Sequence, residues 1–150
     1  MSEPSWINGM QLPDINVWLA LRDPNHAHYA KAMAWKVGLS SGETLHYCRI
    51  TQMGFLRLST NPSVTLGHPL TMSDAWLHYD IFIAEPNVSY VEEPKGLEPI
   101  WRSLTTRQTF SHKLWNDAYL AAFAICAGIE LVTFDQGFKQ FPGLKCTILQ

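Results

Sequence analysis

Three of the thirteen acidic residues stand apart because their neighbours are apolar. Asp14 lies between Met10-Gln11-Leu12-Pro13 and Ile15-Asn16-Val17-Trp18, and Asp135 ends the run Glu130-Leu131-Val132-Thr133-Phe134. Asp117 lies within Trp115-Asn116-Asp117-Ala118-Tyr119-Leu120-Ala121-Ala122-Phe123-Ala124. On a helix of about 3.6 residues per turn, Leu120, Ala121 and Ala124 share its face. A carboxylate drawn out of water must pair, hydrogen-bond or hold a cation, or it takes up a proton. Three brought together repel one another and need a cation. Oxygen ligands without His or Cys select a hard ion such as Mg²⁺ or Mn²⁺. That ion acidifies a bound water, orients it and neutralises charge on a phosphate, which is the chemistry of phosphate-ester hydrolysis. Each acid also has a plainer reading, since Asp is a favoured N-cap and both Asp14 and Asp135 precede helical segments.

For the acids to meet, the intervening elements must form an open α/β sheet, whose ligands bind at the C-terminal ends of the strands. Strands are expected at 9–13, 44–47, 87–91, the run opening at Glu130, and 145–149. Helices are expected at 15–21, capped by Asp14, and at 26–37, 49–59 and 97–104. One more follows a cap at Thr71 or Ser73 and carries Ala75, Trp76, Tyr79, Phe82 and Ile83, and another carries Asp117. Asn61-Pro62 opens a loop to Leu70, and 105–112 is polar. Strands alternating with helices predict a parallel sheet of four to five strands flanked by helices on both faces.

At 150 residues the chain suits one domain, expected over 9–150 after a frayed lead-in at 1–8. The net charge of −2 leaves no global basic footprint, so nucleic-acid binding must rest on a local patch. Cys48, Cys126 and Cys146 are odd in number and lie beside apolar residues, which fits reduced core thiols in a cytoplasmic protein rather than a disulfide frame. No run reaches about 18 apolar residues, so no membrane span is expected. His26 and His28, two apart on the expected helix, would point away from each other as surface histidines unable to share a metal.

Four segments together carry a family resemblance: Leu12-Pro13-Asp14-Ile15-Asn16-Val17, Arg49-Ile50-Thr51-Gln52-Met53-Gly54-Phe55-Leu56-Arg57-Leu58, Asp117-Ala118 with Leu120-Ala121-Ala122, and Thr133-Phe134-Asp135. In this order and spacing they resemble PIN-domain ribonucleases of the VapC toxin type, from about Gly9 onward. The resemblance implies an α/β PIN-like fold and a Mg²⁺- or Mn²⁺-dependent acidic cluster that cleaves RNA. It also implies neutralisation by a cognate VapB-like antitoxin, and a homodimer. Carried over by position, Asp14, Asp117 and Asp135 are the catalytic and metal-holding acids, with Asn16 and Thr133 as polar neighbours. The second acid departs: Gln52 stands where many relatives have Glu, and as a further catalytic candidate its amide oxygen can hydrogen-bond a metal-bound water or weakly ligate but supplies no charge.

Arg49, Arg57, Arg107, His112 and Lys113 are candidates to grip the RNA backbone, each with a solvated surface role as the alternative. Asn116 either orients a metal-bound water or caps its helix. Trp18 and Trp35 either fill the core or meet an antitoxin or second subunit. Two other classes compete. One is a PIN-fold RNA-binding or interaction module whose catalysis Gln52 has weakened. The other is a phosphoryl-transfer domain of the haloacid-dehalogenase or receiver kind. The first of these wants a second acid where Asn16 stands, and the receiver wants paired acids early in the chain.

Overall fold

The computed structural model describes residues 9–150; the lead-in expected at 1–8 lies outside the described residues. β1 (Met10–Pro13) leads through Asp14 into α1 (Ile15–Arg22) and α2 (Tyr29–Val37). Next come β2 (Thr44–Tyr47), α3 (Arg49–Ser59), α4 (Met72–Ile83), β3 (Val88–Tyr90), α5 (Leu97–Thr105) and α6 (Leu114–Ala127). β4 (Glu130–Thr133), a 3-10 turn (Gln136–Gln140) and β5 (Cys146–Ile148) complete the domain. The five strands form one parallel sheet in the order β3-β2-β1-β4-β5. The chain therefore grows outward from β1 in one direction and returns to build β4 and β5 on the other side. The seam between β1 and β4 is the switch point of such a sheet, where a crevice opens beyond the strand ends.

Each sheet face carries its own core. Leu12 of β1 and Leu131 of β4 join Leu120, Ala121, Phe123 and Ala124 of α6, together with α5. Leu45, Tyr47 and Val132 join α1, Phe55 of α3, and Tyr79 and Phe82 of α4 on the opposite face. Consecutive β4 residues thus point to opposite faces, as the pleat requires. Trp18 is fully buried, its ring stacked on Tyr47 at 4.0 Å, and Trp35 packs partly buried against the same core. The core reading of Trp18 holds and its interface reading is withdrawn.

Gly54 lets α3 close on the first turn of α1, for a Cβ there would lie 2.1 Å from Ile15 Cδ1. Thr71, not Ser73, caps α4, its Oγ1 accepting from the Asp74 N–H. α2 starts at Tyr29 rather than at residue 26. Asp23 Oδ1 accepts from the Asn25 N–H and His26 Nδ1 from the His28 N–H, so side chains claim the donors that a helix would use. His26 and His28 therefore stand on a turn, with ring centroids 5.8 Å apart, and the helical argument that separated them does not apply. His28 is exposed and His26 half-buried. Cys48 is a buried thiol; Cys126 and Cys146 are only partly buried, and all three are free.

Candidate active site

Asp14, Asp117 and Asp135 reach one edge of the sheet from three elements. Asp14 leaves the C-terminal end of β1, with its N–H still paired to the Val132 carbonyl of β4 at 2.8 Å. Its Oδ1 accepts from the Ile15 N–H at 2.7 Å, capping α1, while Oδ2 accepts from Thr133 Oγ1 at 2.9 Å. One oxygen caps the helix and the other joins Asp14 to the end of β4. Asp135 follows β4, and its Oδ1 accepts from the Gly137 N–H at 2.8 Å, capping the 3-10 turn. Asp117 enters from the first turn of α6, half-buried.

Thr133, fully buried, ties these parts together. Its hydroxyl donates to Asp14 and accepts from the Asp135 N–H at 3.0 Å and from Asn16 Nδ2 at 3.4 Å. Asn16 Oδ1 in turn accepts from the Phe134 N–H. One hydroxyl and one amide thereby fix α1 against the end of β4. Asn116, by contrast, is exposed inside α6, whose N-cap is Lys113, so of its two alternatives the capping one fails.

The charges are felt across the cluster. Burial first, then Asp14 and Asp135, push the Asp117 carboxyl from an ordinary 3.8 up to about 6. Asp14 is raised as well, by burial opposed by its bonds from Thr133 and Ile15, with Asp135 adding to the rise. Such mutual repulsion is what a cation would relieve. Among the described residues no three His, Cys, Asp or Glu side chains close directly around a metal ion.

Gln52 is buried in α3, where its Oε1 accepts from Arg49 Nη1 and its side chain bonds Tyr79. Those partners, not the acids, hold it. Arg49 also lies over the Tyr90 ring at 5.0 Å. Arg107 donates to the Leu104 carbonyl and to Gln140 and lies over Phe141, so it clamps the segment after α5 to the 3-10 turn. Arg57 rims an apolar groove of about 320 Å³ that includes Met53, Met72 and Trp76. His112 and Lys113 are exposed just before α6.

One neighbour of the site had no signal in the sequence. His28 stacks on Phe134, centroids 4.5 Å apart and planes 19° from parallel. Phe134 lies between Thr133 and Asp135 in sequence and packs on the α1 face of the sheet, so the α1–α2 turn rests on the segment that carries these two residues.

The pattern of the PIN domain family matches residues 12–144. The chain is 41% identical to Ribonuclease VapC41 of Mycobacterium tuberculosis over 93% of this chain and 99% of that protein. It is 32% identical to Ribonuclease VapC33 of the same organism over 92% and 96%. In fold it is similar to VapBC2 from Rickettsia felis bound to a DNA fragment from its promoter, with a TM-score of 0.65 at 15% identity, covering 94% of this chain and 99% of that one. It is also similar to M. tuberculosis VapC20, a toxin that cleaves the sarcin-ricin loop, with a TM-score of 0.62 at 18% identity, covering 87% and 93%. No helix among the described residues is long and apolar enough to cross a membrane. With its pattern spanning nearly the whole fold and its acids gathered at the switch point, the chain belongs to the PIN domain family, among the VapC ribonucleases.

Proposed function

We propose that this ribonuclease is a Mg²⁺- or Mn²⁺-dependent endoribonuclease toxin that hydrolyses RNA phosphodiester bonds at Asp14, Asp117 and Asp135, and that a cognate VapB-like antitoxin neutralises it. The observation that carries the site is the Thr133 hydroxyl, which bonds Asp14 and the Asp135 backbone at once and so holds two of the acids at the β1–β4 seam. The donor set suits the ion. All three side chains offer carboxylate oxygen, and the Asp117 carboxyl is raised first by burial and then by Asp14 and Asp135. Because no three of them close directly around an ion, much of its shell would be left to water and substrate phosphate, as is usual for Mg²⁺.

When bound, the ion supplies an acidified water and neutralises phosphate charge. Thr133 keeps Asp14 in one orientation, and Asn16 keeps α1 from drifting off β4. Asp117, pushed up to about 6 first by burial and then by Asp14 and Asp135, would hold its charge more readily beside a bound cation.

The test is cleavage of single-stranded RNA by the purified chain with Mg²⁺, with Mn²⁺ and with EDTA, alongside Asp14→Asn, Asp117→Asn and Asp135→Asn. Each substitution and EDTA should nearly abolish cleavage. Full activity in all three variants and in EDTA would remove the metal mechanism. Growth arrest on expression, relieved by co-expressing the antitoxin, tests the toxin role; a chain harmless at high expression yet active on RNA would be a processing nuclease.

A further inference from the structure

A cavity of about 280 Å³ opens between the α1–α2 turn and the loop joining α3 to α4. Arg22, Asp23 and Asn25 line it from the turn, and Val64, Thr65, Leu66 and His68 from the loop. Its walls mix donors and acceptors with apolar groups. Behind this lining the Arg22 Nε–H is buried without a hydrogen-bond partner, a costly state for a charged donor. Leu66 holds φ at +53°, in the left-handed region that a leucine rarely adopts, and leaves its side chain 85% exposed. The loop is nevertheless well held: the Thr65 N–H and hydroxyl both bond the Asn61 carbonyl, and the Gly67 N–H bonds that of Pro62. A rigid loop that keeps an apolar side chain strained and in water points to something that covers it.

We propose that this cavity is a subsite for one base of the RNA strand, a few nucleotides from the bond cut at the acid cluster. The proposal rests on the ribonuclease reading of that cluster. Asp23 in the lining disfavours a bare phosphate. A nucleobase instead has a flat apolar face for Leu66 and Val64 and an edge of donors and acceptors for Asn25, Thr65 and His68. Unstacked bases of single-stranded RNA are recognised in this way. Position favours RNA over a protein partner. The turn that builds the cavity also carries His28, stacked on Phe134 beside Asp135, so one short segment joins acids to cavity. Arg22 ends the helix that Asp14 caps, about 12 Å away at about 1.5 Å per residue.

The test is cleavage of a random-sequence single-stranded RNA pool, with the new ends sequenced, for wild type, Asn25→Ala, His68→Ala and Leu66→Gly. Leu66→Gly relieves the backbone strain, so it reports the lost side chain rather than a failure to fold. Wild type should show a base preference at one position removed from the cut. Asn25→Ala and Leu66→Gly should weaken it about tenfold while preferences at the cut itself persist. A wild-type enzyme with no preference away from the cut, or one left unchanged by all three substitutions, overturns the subsite while leaving the ribonuclease intact. Unchanged preference with loss of antitoxin neutralisation would assign the cavity to the protein partner and likewise overturn it. Absence of RNA cleavage by wild type would instead remove the ribonuclease reading, and the subsite with it.

Discussion

Asp117→Asn should make the metal-free protein more stable at neutral pH while abolishing its activity. Folding raises this carboxyl from 3.8 to about 6, so the folded state holds the proton more tightly than the unfolded chain does. Below about pH 4 both states are protonated and nothing is lost. As pH rises through 6, the folded protein must carry a charge it disfavours. At 1.36 kcal/mol per pH unit the rise corresponds to about 3 kcal/mol, and because Asp117 is only half-buried, solvent screening reduces this to about 1–2 kcal/mol. An asparagine carries no such cost. Thermal unfolding in EDTA, followed by circular dichroism, should place the variant about 3–6 °C above wild type at pH 7 and level with it at pH 4. Added Mg²⁺ should then close the gap at pH 7 by stabilising wild type selectively. A variant no more stable than wild type at pH 7 would refute the repulsion argument, and a gap that Mg²⁺ leaves untouched would refute the claim that a cation relieves it.

Three further outcomes follow from contacts around the site. Thr133→Val, nearly isosteric, removes the donor to Asp14 and the acceptor for Asp135 and Asn16; it should cost about 1–3 kcal/mol in urea unfolding and most of the cleavage rate. Gly54→Ala gains helix propensity of about 1 kcal/mol yet drives a methyl into Ile15, so a net loss of about 1–2 kcal/mol is expected in the same assay. Gln52→Ala frees Arg49 and Tyr79 and should destabilise by about 1–2 kcal/mol. Its calorimetric Mn²⁺ titration should match wild type, because the hydrogen bonds of Gln52 go to Arg49 and Tyr79 and none goes to an acid of the cluster.

The alternation of apolar runs with breakers makes the sheet, the helices on both faces and the three unusual acids legible in the sequence. Periodicity reports which face of an element is buried, and Asp14, Asp117 and Asp135 each interrupt an apolar face. Less accessible were features decided by side chains competing for backbone donors. The start of α2 moved to Tyr29 because Asp23 and His26 capture N–H groups in the preceding turn, a choice that apolar spacing does not record. Gln52 offered its amide to several possible partners, and only the fold brought Arg49 and Tyr79 to it. The stack of His28 on Phe134 joins residues that become neighbours only when β4 inserts beside β1.

That insertion also has a consequence for synthesis. β1 pairs with β4 through Gln11↔Glu130, Leu12↔Leu131 and Pro13↔Val132, so the seam joins residues about 120 positions apart in the chain. A chain emerging from the ribosome carries Asp14 early but lacks Asp117, Thr133 and Asp135 until most of the domain has been translated. At about 5–20 residues per second, the delay is on the order of ten seconds. Throughout it the nascent protein has half of β1 unpaired and no assembled cluster. If the three acids cut RNA as proposed, cleavage therefore begins only after β4 has paired with β1 and brought Thr133 and Asp135 to Asp14.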